Sequence, residues 1–478
     1  MSETIYDVAI IGSGPGGYTA AIRAGQWGLK TALIEKDDKL GGTCLHVGCI
    51  PTKALLFNAE IFEHVKSAKD YGIGGIGALS VDWASVQQRK NKIVTKHTKG
   101  LDFLMRKHKV DTIEGYGRLT GPAKDGIHTV DVYTAGGGGA AGESNHVRAR
   151  NIILATGSEA RMMPGLEADS RILTNIEVLS LDQIPKSMII VGSGAVGVEF
   201  ASIYRSFDAE VTILEMLPRL VPVEDEEISK ELARNFRKRG INFHVSATVS
   251  KVERTKDGVA VEFSVAGKSQ RLEAEKVLIA VGRKPNTDNV GLDLVPNIKT
   301  ERGFVQVDSW MRTGEPGLYA IGDIVAGYPQ LAHAGAMEGL TAVADIAKKP
   351  AKPVNKLRIP GATYCEPQIG SVGLTEAKAR ELGYELKVGK FPFSANSKAS
   401  ILGQHEGFIK VVADAKYGEI LGVHIIGPSA TELIAESVAA MELEVTAEDL
   451  AYTVHAHPTL SEAMLDAANS VFGLAINA

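Results

Sequence analysis

One pattern occurs twice in this sequence and constrains the fold more than any other feature. An apolar run, 5–11, leads into Gly12-Ser13-Gly14-Pro15-Gly16-Gly17, an Ala-rich stretch to Trp27, and then Thr31-Ala32-Leu33-Ile34-Glu35. A second run, 188–191, leads into Gly192-Ser193-Gly194-Ala195-Val196-Gly197, a helical stretch to about Phe207, and then Val211-Thr212-Ile213-Leu214-Glu215. Each reads as strand, glycine turn, helix, strand. The acid stands 23 positions after the first glycine in both copies. In G-x-G-x-x-G the first Gly allows the tight turn, the second lets backbone approach a pyrophosphate, and the third lets helix and strand pack closely. The helix N-terminus then offers N–H groups to phosphate, and the acid binds a ribose 2′-hydroxyl. A plain glycine turn leaves the paired acids unexplained. Two motifs imply two dinucleotides. A carboxylate repels a 2′-phosphate, and no arginine pair follows Ile213, although Arg219 is near. FAD and NAD are therefore expected ahead of NADP.

The 478 residues leave room for about three domains. A polar, helix-prone stretch spans 81–108, and short strands follow from 110 to 147. The Gly-rich segment 135–142 reads as a flexible hairpin tip without function. A buried strand is expected at 276–282 and a linker at 348–353. Beyond it come short strands at 362–373 and 406–426 and helices at about 430–441 and 459–470, an α+β pattern. The excess of Gly, 51 residues, belongs in turns and ligand loops. With 52 basic against 57 acidic residues the net charge is −5, so neither nucleic acid nor an anionic membrane is an expected partner. The basic run 234–239 reads as a solvated helix face. No apolar stretch approaches ~18 residues, so no spanning helix is expected. The start is polar, with no visible signal or transit peptide, and a cytoplasmic location is expected.

Three cysteines occur, Cys44, Cys49 and Cys365, with no zinc spacing and no metal site expected. In a regular helix positions 44 and 49 would be too far apart for a disulfide, so Gly48 must bend the chain for the pair to close. Pro51 suits a first helical turn. Cys49 then lies near a helix N-terminus, where a thiolate is favoured. Two structural thiols are the alternative. Cys365, at a strand end, reads as a buried inert thiol. Near the C-terminus stand His457 and Glu462. A dithiol must lose a proton to attack a disulfide, and a histidine oriented by a carboxylate suits that task. Thr459-x-x-Glu462 also reads as a capping box, and His455 with His457 as one face of a strand.

Seven motifs together resemble the flavin disulfide reductases, and among them the dihydrolipoyl dehydrogenases, over the whole chain. They are Gly12-x-Gly14-x-x-Gly17, Cys44-x4-Cys49, Ala155-Thr156-Gly157-Ser158, Gly192-x-Gly194-x-x-Gly197, Ala280-Val281-Gly282-Arg283, Ala320-Ile321-Gly322-Asp323 and His457-Pro458-Thr459-Leu460-Ser461-Glu462. The resemblance implies an α/β chain with two Rossmann-like dinucleotide-binding domains and a C-terminal α+β dimerisation domain. It divides the chain into 1–150 and 279–348 for FAD, 151–278 for NAD and 349–478 for the interface. It implies that the first glycine turn, Glu35, Thr43, Gly117, Thr156, Gly157, Ser158, Asp323 and Ala332 hold FAD. Lys53 resembles the lysine beside the flavin's reactive nitrogen, and Glu199 its ion-pair partner. The second glycine turn, Glu215, Val249 and Gly282 resemble the NAD site. Cys49 would face the flavin as the charge-transfer thiol, and Cys44 would exchange with substrate sulfur. His457 and Glu462 would be the base and its partner, with His455 a neighbour. The implied activity is oxidation of protein-bound dihydrolipoyl groups of a 2-oxo acid dehydrogenase or glycine cleavage complex, with reduction of NAD+. The implied partners are a second copy and a lipoylated acyltransferase or carrier protein.

Two departures stand out. His46 occupies the place where the family usually has Asn, and Thr52 replaces a commoner Ser. Glutathione and mercuric reductases are the alternative enzymes; Glu215 and the absence of a cysteine pair in Ile476-Asn477-Ala478 argue against them. A flavin redox sensor without turnover leaves Cys44, Cys49, His457 and Glu462 without a purpose.

Overall fold

A computed structural model describes residues 4–133 and 144–477; the Gly-rich segment 135–142 lies outside them. The described chain forms two compact units, one of residues 1–54, 87–160 and 283–354, the other of residues 55–86, 161–282 and 355–478.

In the first unit, β1 (Ile5–Ile11) runs parallel to β2 (Thr31–Glu35). Beyond β2 lies β3 (Val110–Glu114). On the other side of β1, also parallel, is β6 (Ser144–Leu154), which continues through β5 (His128–Tyr133) into β4 (Tyr116–Leu119) as an antiparallel meander. The strand Leu318–Ala320 adds to β6 in parallel. The last four residues of β1 and all of β2 are buried, as expected of a parallel sheet covered on both faces. Helix α1 (Pro15–Gln26) is Ala-rich because it crosses helix Ala332–Ile346 closely. A Cβ on Gly339 would stand 2.7 Å from the Gly16 carbonyl oxygen. The cysteines sit on two further helices, α2 (Gly42–His46) and α3 (Cys49–Lys66), and the polar stretch 81–108 is helix α4 (Trp83–Lys107).

The second unit holds the repeat. Ser187–Val191, Glu210–Leu214, Asn242–His244, Lys276–Ile279 and Ile172–Leu173 form a five-stranded parallel sheet. An antiparallel three-stranded sheet spans Ala247–Arg254, Val259–Val265 and Lys268–Ala274. The C-terminal part is a five-stranded antiparallel sheet with helices Ala430–Glu442 and Glu462–Ser470, the expected α+β pattern. One of its strands, Leu386–Pro392, escaped the sequence reading. Lys387, Gly389, Lys390 and Pro392 break its apolar alternation, as edge strands often do.

The central strands Phe408–Asp414 and Ile420–Gly427 are wholly buried, yet one carries Lys410. Its ammonium lies 3.0 Å from Asp225 Oδ1, 2.8 Å from Glu227 Oε2 and 2.8 Å from Glu376 Oε2. Asp225 also caps helix Glu226–Lys238 by accepting the Glu227 N–H. Burial raises the Asp225 carboxyl, but His424, Lys410 and the cap outweigh it and hold it below the usual range. Replacing Lys410 by Met leaves a buried carboxylate uncompensated and is expected to cost about 3–5 kcal/mol, read by chemical denaturation at neutral pH. Asp225 titrates below its unfolded value, so its stabilisation is complete above the ordinary carboxylate range and is lost as pH falls. The gap between wild type and Lys410→Met should therefore narrow on acidification.

Candidate active site

The two glycine turns are built alike, atom for atom. Ser13 presents its N–H (2.8 Å) and its Oγ–H (2.6 Å) to Glu35 Oε2, while Glu35 Oε1 accepts the Asp37 N–H at 3.0 Å. Ser193 presents the same two donors to Glu215 Oε2, each at 2.8 Å, while Oε1 accepts the Leu217 N–H at 2.7 Å. The acid thus locks its own glycine turn before any ligand is considered. The sequence reading missed both serines; Gly-Ser-Gly in both copies was the available signal.

The glycines divide by task. Gly12 has φ +103°, and Cβ atoms on Gly12 and Gly17 would lie 2.3 Å from Ala155 O and 1.9 Å from Gly12 O. A Cβ on Gly14 would meet nothing within 4 Å. Gly14 is the N-cap of α1, with no side-chain cap and no acid in the first turn. Gly194 repeats all of this for helix Ala195–Ser206. An uncapped helix start facing open space fits a dinucleotide pyrophosphate.

The other expected FAD contacts gather in the first unit. Gly117 lies buried on β4, Thr43 on α2, Lys53 on α3, and Ala332 opens its helix. Thr156, Gly157 and Ser158 follow β6. Thr156 Oγ1 donates to Asn286 O at 2.6 Å, and Ser158 Oγ–H donates to Asp323. Arg283 Nε in turn donates to Ser158 Oγ at 2.6 Å and lies 3.8 Å from Asp323. Arg283 and Asn286 were not singled out from sequence, although Arg283 closes a quoted motif. In the second unit, Val249 sits on strand Ala247–Arg254 and Gly282 follows strand Lys276–Ile279. Glu199 is buried and accepts the Tyr364 N–H at 2.9 Å.

The cysteine segment is tied to the first turn, since Gly41 N–H reaches Ser13 O and Ser13 Oγ, each at 3.1 Å. At Gly48 a Cβ would stand 2.8 Å from Thr43 O, so the chain folds back there as the spacing requires. Cys44 and Cys49 are both thiols, and Cys49 opens α3. A side-chain hydrogen bond with Cys49, then burial, push the Cys44 thiol up, while Lys53 pulls it down. Thr52 Oγ1 donates to Gly48 O at 2.7 Å, as a Ser could. His46 Nε2 lies 2.8 Å from Leu40 O and fastens the end of α2 to the loop before it. A cavity of about 210 Å³ opens beside Cys44, walled mainly by Tyr18, Leu45, Ile50, Leu101 and Leu104. Tyr18, also unnoticed in the sequence, is pushed up by burial and then by the charges of Cys44 and Cys49.

His457 Nδ1 lies 2.8 Å from Glu462 Oε1, and Thr459 N–H donates to Glu462 Oε2 at 2.7 Å. Burial raises the Glu462 carboxyl, but those two partners outweigh it and hold it low. The capping-box reading is corrected: helix Glu462–Ser470 begins at Glu462 itself, with Ser461 as N-cap and no side-chain cap. The strand reading also fails, because residues 454–457 have no regular structure. His455 is held by Glu436 at 2.7 Å and by Thr453 O at 2.8 Å. Cys365 is fully buried, its Sγ 3.2 Å from Pro367 O, and burial pushes it well up.

Residues 6–339 match the family described as pyridine nucleotide-disulphide oxidoreductase, and residues 359–468 its dimerisation domain. The dihydrolipoyl dehydrogenase of Rhizobium etli is 45% identical over 100% of both chains. That of Bacillus subtilis is 43% identical over 99% of both. The chain belongs to the dihydrolipoyl dehydrogenase family. Among solved structures, LpdA of Mycobacterium tuberculosis matches with TM-score 0.88 and 26% identity over 97% of this chain and 98% of that one. The flavoprotein disulfide reductase RclA of Escherichia coli matches with TM-score 0.84 and 25% identity over 97% and 99%. As a member of this family the chain is an FAD- and NAD-dependent flavoprotein disulfide oxidoreductase. Among the described residues no helix is long and apolar enough to cross a membrane.

The division of labour among the glycines gives a prediction. Gly14→Ala should fold with near-normal secondary structure and melting of the apoprotein, yet purify with little flavin, because its methyl group enters only the ligand's space. Gly17→Ala should fail earlier, in the fold itself. Absorbance at the flavin band and circular dichroism separate the two outcomes.

Proposed function

We propose that the chain oxidises protein-bound dihydrolipoyl groups through Cys44 and Cys49 and reduces NAD+ to NADH. The observation that supports this most is the attachment of the thiol pair to the first glycine turn, through Gly41 and Ser13. In the oxidised enzyme the two sulfurs form a disulfide. His457 Nε2, left open while Nδ1 is held by Glu462, takes a proton from one substrate thiol. The resulting thiolate attacks Cys44 Sγ, the Cys44–Cys49 bond breaks, and Cys49 leaves as thiolate. The second substrate thiol, also losing its proton, displaces Cys44 and closes the substrate's disulfide. Two electrons then rest on the cysteine pair, with the remaining proton on Cys44. The apolar cavity beside Cys44 accepts the substrate's hydrocarbon arm. FAD, when bound, would supply the electron carrier between this pair and the nicotinamide; Cys44 and Cys49 give up two electrons and the Cys44 proton and re-form their disulfide, which readies the pair for the next dithiol.

In this reading residues 1–150 and 279–348 hold FAD. Gly12, Gly14, Gly17 and Glu35 take its adenosine diphosphate half, and Lys53 and Asp323 the flavin side. Residues 151–278 hold NAD, with Glu215 against the ribose, and residues 349–478 form the dimer interface. The dithiol arrives on a lipoylated acyltransferase or carrier protein of a multienzyme complex, in the cytoplasm.

The test is NADH formation from dihydrolipoamide by the flavin-loaded protein. Cys44→Ser and Cys49→Ser should each lower kcat by at least ~10³-fold, the scale of losing a covalent route, and only Cys44→Ser should keep long-wavelength absorbance on partial reduction. A wild-type protein that binds FAD yet forms no NADH from dihydrolipoamide would overturn the reading.

Each site in this reading pairs the disulfide of one chain with the base of its partner. Cys44→Ser chains mixed with His457→Gln chains should regain activity. Random exchange makes about half the dimers mixed and repairs roughly a quarter of all sites, as two-fold symmetry requires. Confirmed exchange without recovery would place the base within its own chain.

A further inference from the structure

Helix α4 is out of keeping with the rest of the chain. In a protein of net charge −5, its 25 residues carry seven Lys or Arg and one acid, Asp102. Three of these cations and one aromatic ring lie on a single stripe: Lys92, Lys96, Lys99 and Phe103, spaced four, three and four apart as residues on one helix face are. All four are exposed, Phe103 by 56%. None of the three lysines has a carboxylate partner among the described residues. A row of unpaired cations is an electrostatic cost to the free protein unless something negative comes to it.

The same helix walls the cavity that holds Cys44. His97, Gly100, Leu101 and Leu104 line it. Lys96, Lys99 and Phe103 each precede one of these residues by one position, so the stripe is turned about 100° from the cavity wall along the same turns. Whatever rests on the stripe therefore stands beside the mouth through which a dithiol reaches Cys44.

We propose that the Lys92–Lys96–Lys99–Phe103 stripe is a docking face for the acidic surface of the protein domain that carries the dithiol. This rests on the dihydrolipoyl reading and adds to it how the carrier is chosen. The cavity recognises the arm, and the stripe recognises the body behind it. Three cations over about two turns of helix raise the encounter rate of an acidic partner and leave that of a neutral small molecule unchanged. Phe103 supplies an apolar contact among the charges.

The experiment uses the flavin-loaded enzyme with two substrates, free dihydrolipoamide and a reduced lipoylated domain of net negative charge. The kcat/KM for the domain should fall about tenfold between 20 and 300 mM salt, and that for dihydrolipoamide less than twofold. Lys92→Glu, Lys96→Glu and Lys99→Glu combined should lower kcat/KM for the domain about tenfold at low salt and spare dihydrolipoamide. Converting the domain's surface carboxylates to amides should remove the advantage in the wild type. Equal salt response of the two substrates, or a triple variant that keeps its rate with the domain, overturns the proposal. A triple variant with altered oligomeric state by sedimentation overturns it too, in favour of a contact between copies. If the combined variant loses flavin, the single Lys96→Gln decides in the same assay through its salt slope with the domain, which must be shallower than wild type. Failure of wild type on dihydrolipoamide itself would instead strike at the dihydrolipoyl reading.

Discussion

The hydrogen bonds between a carboxylate at the end of the second strand and the serine inside the glycine turn set the geometry on which the rest of the site depends. Glu35 and Ser13 do this in the first unit, Glu215 and Ser193 in the second. A glycine-rich loop has much conformational entropy to lose. Two short bonds to one carboxylate oxygen remove that freedom, and the buried acid is satisfied by the backbone it holds. With the turn fixed, the first-turn N–H groups of the following helix converge on one place. In the first unit the same serine also receives Gly41 N–H, so the loop carrying Cys44 takes its position from the nucleotide turn.

Around the cysteines, a hydrogen bond with Cys49 and then burial push the Cys44 thiol up, and Cys49 opens α3. Cys44 lines a cavity walled mainly by apolar side chains. On the other unit, the low-lying Glu462 carboxylate holds Nδ1 of His457 and leaves the second ring nitrogen open for a proton.

Much of this was legible in the sequence because short-range rules govern it. Glycine turns, the 23-residue interval to the acid, the bend at Gly48 and the helix-prone composition of 81–108 all depend on neighbours along the chain. What was illegible depends on distant partners. Lys410 was not singled out from sequence, and its partners Asp225 and Glu376 come to it from far along the chain. Arg283 reads as the tail of a glycine motif until Ser158 is placed beside it. Thr459-x-x-Glu462 fits a capping box in spacing, but the carboxylate reaches outside the helix to serve a histidine.

The crossing of α1 with helix Ala332–Ile346 has an evolutionary corollary. Gly335 and Gly339 press against Gly16 from behind, with backbone in contact across the seam, while a Cβ on Gly14 in front would meet only open space. The rear of the nucleotide turn is consequently rigid to side-chain change and the front is permissive. Lineages diverging from this chain can alter what the turn accepts by editing its open side one residue at a time. Any change at the seam must be matched on both helices at once, so these small residues should drift as a linked set or not at all.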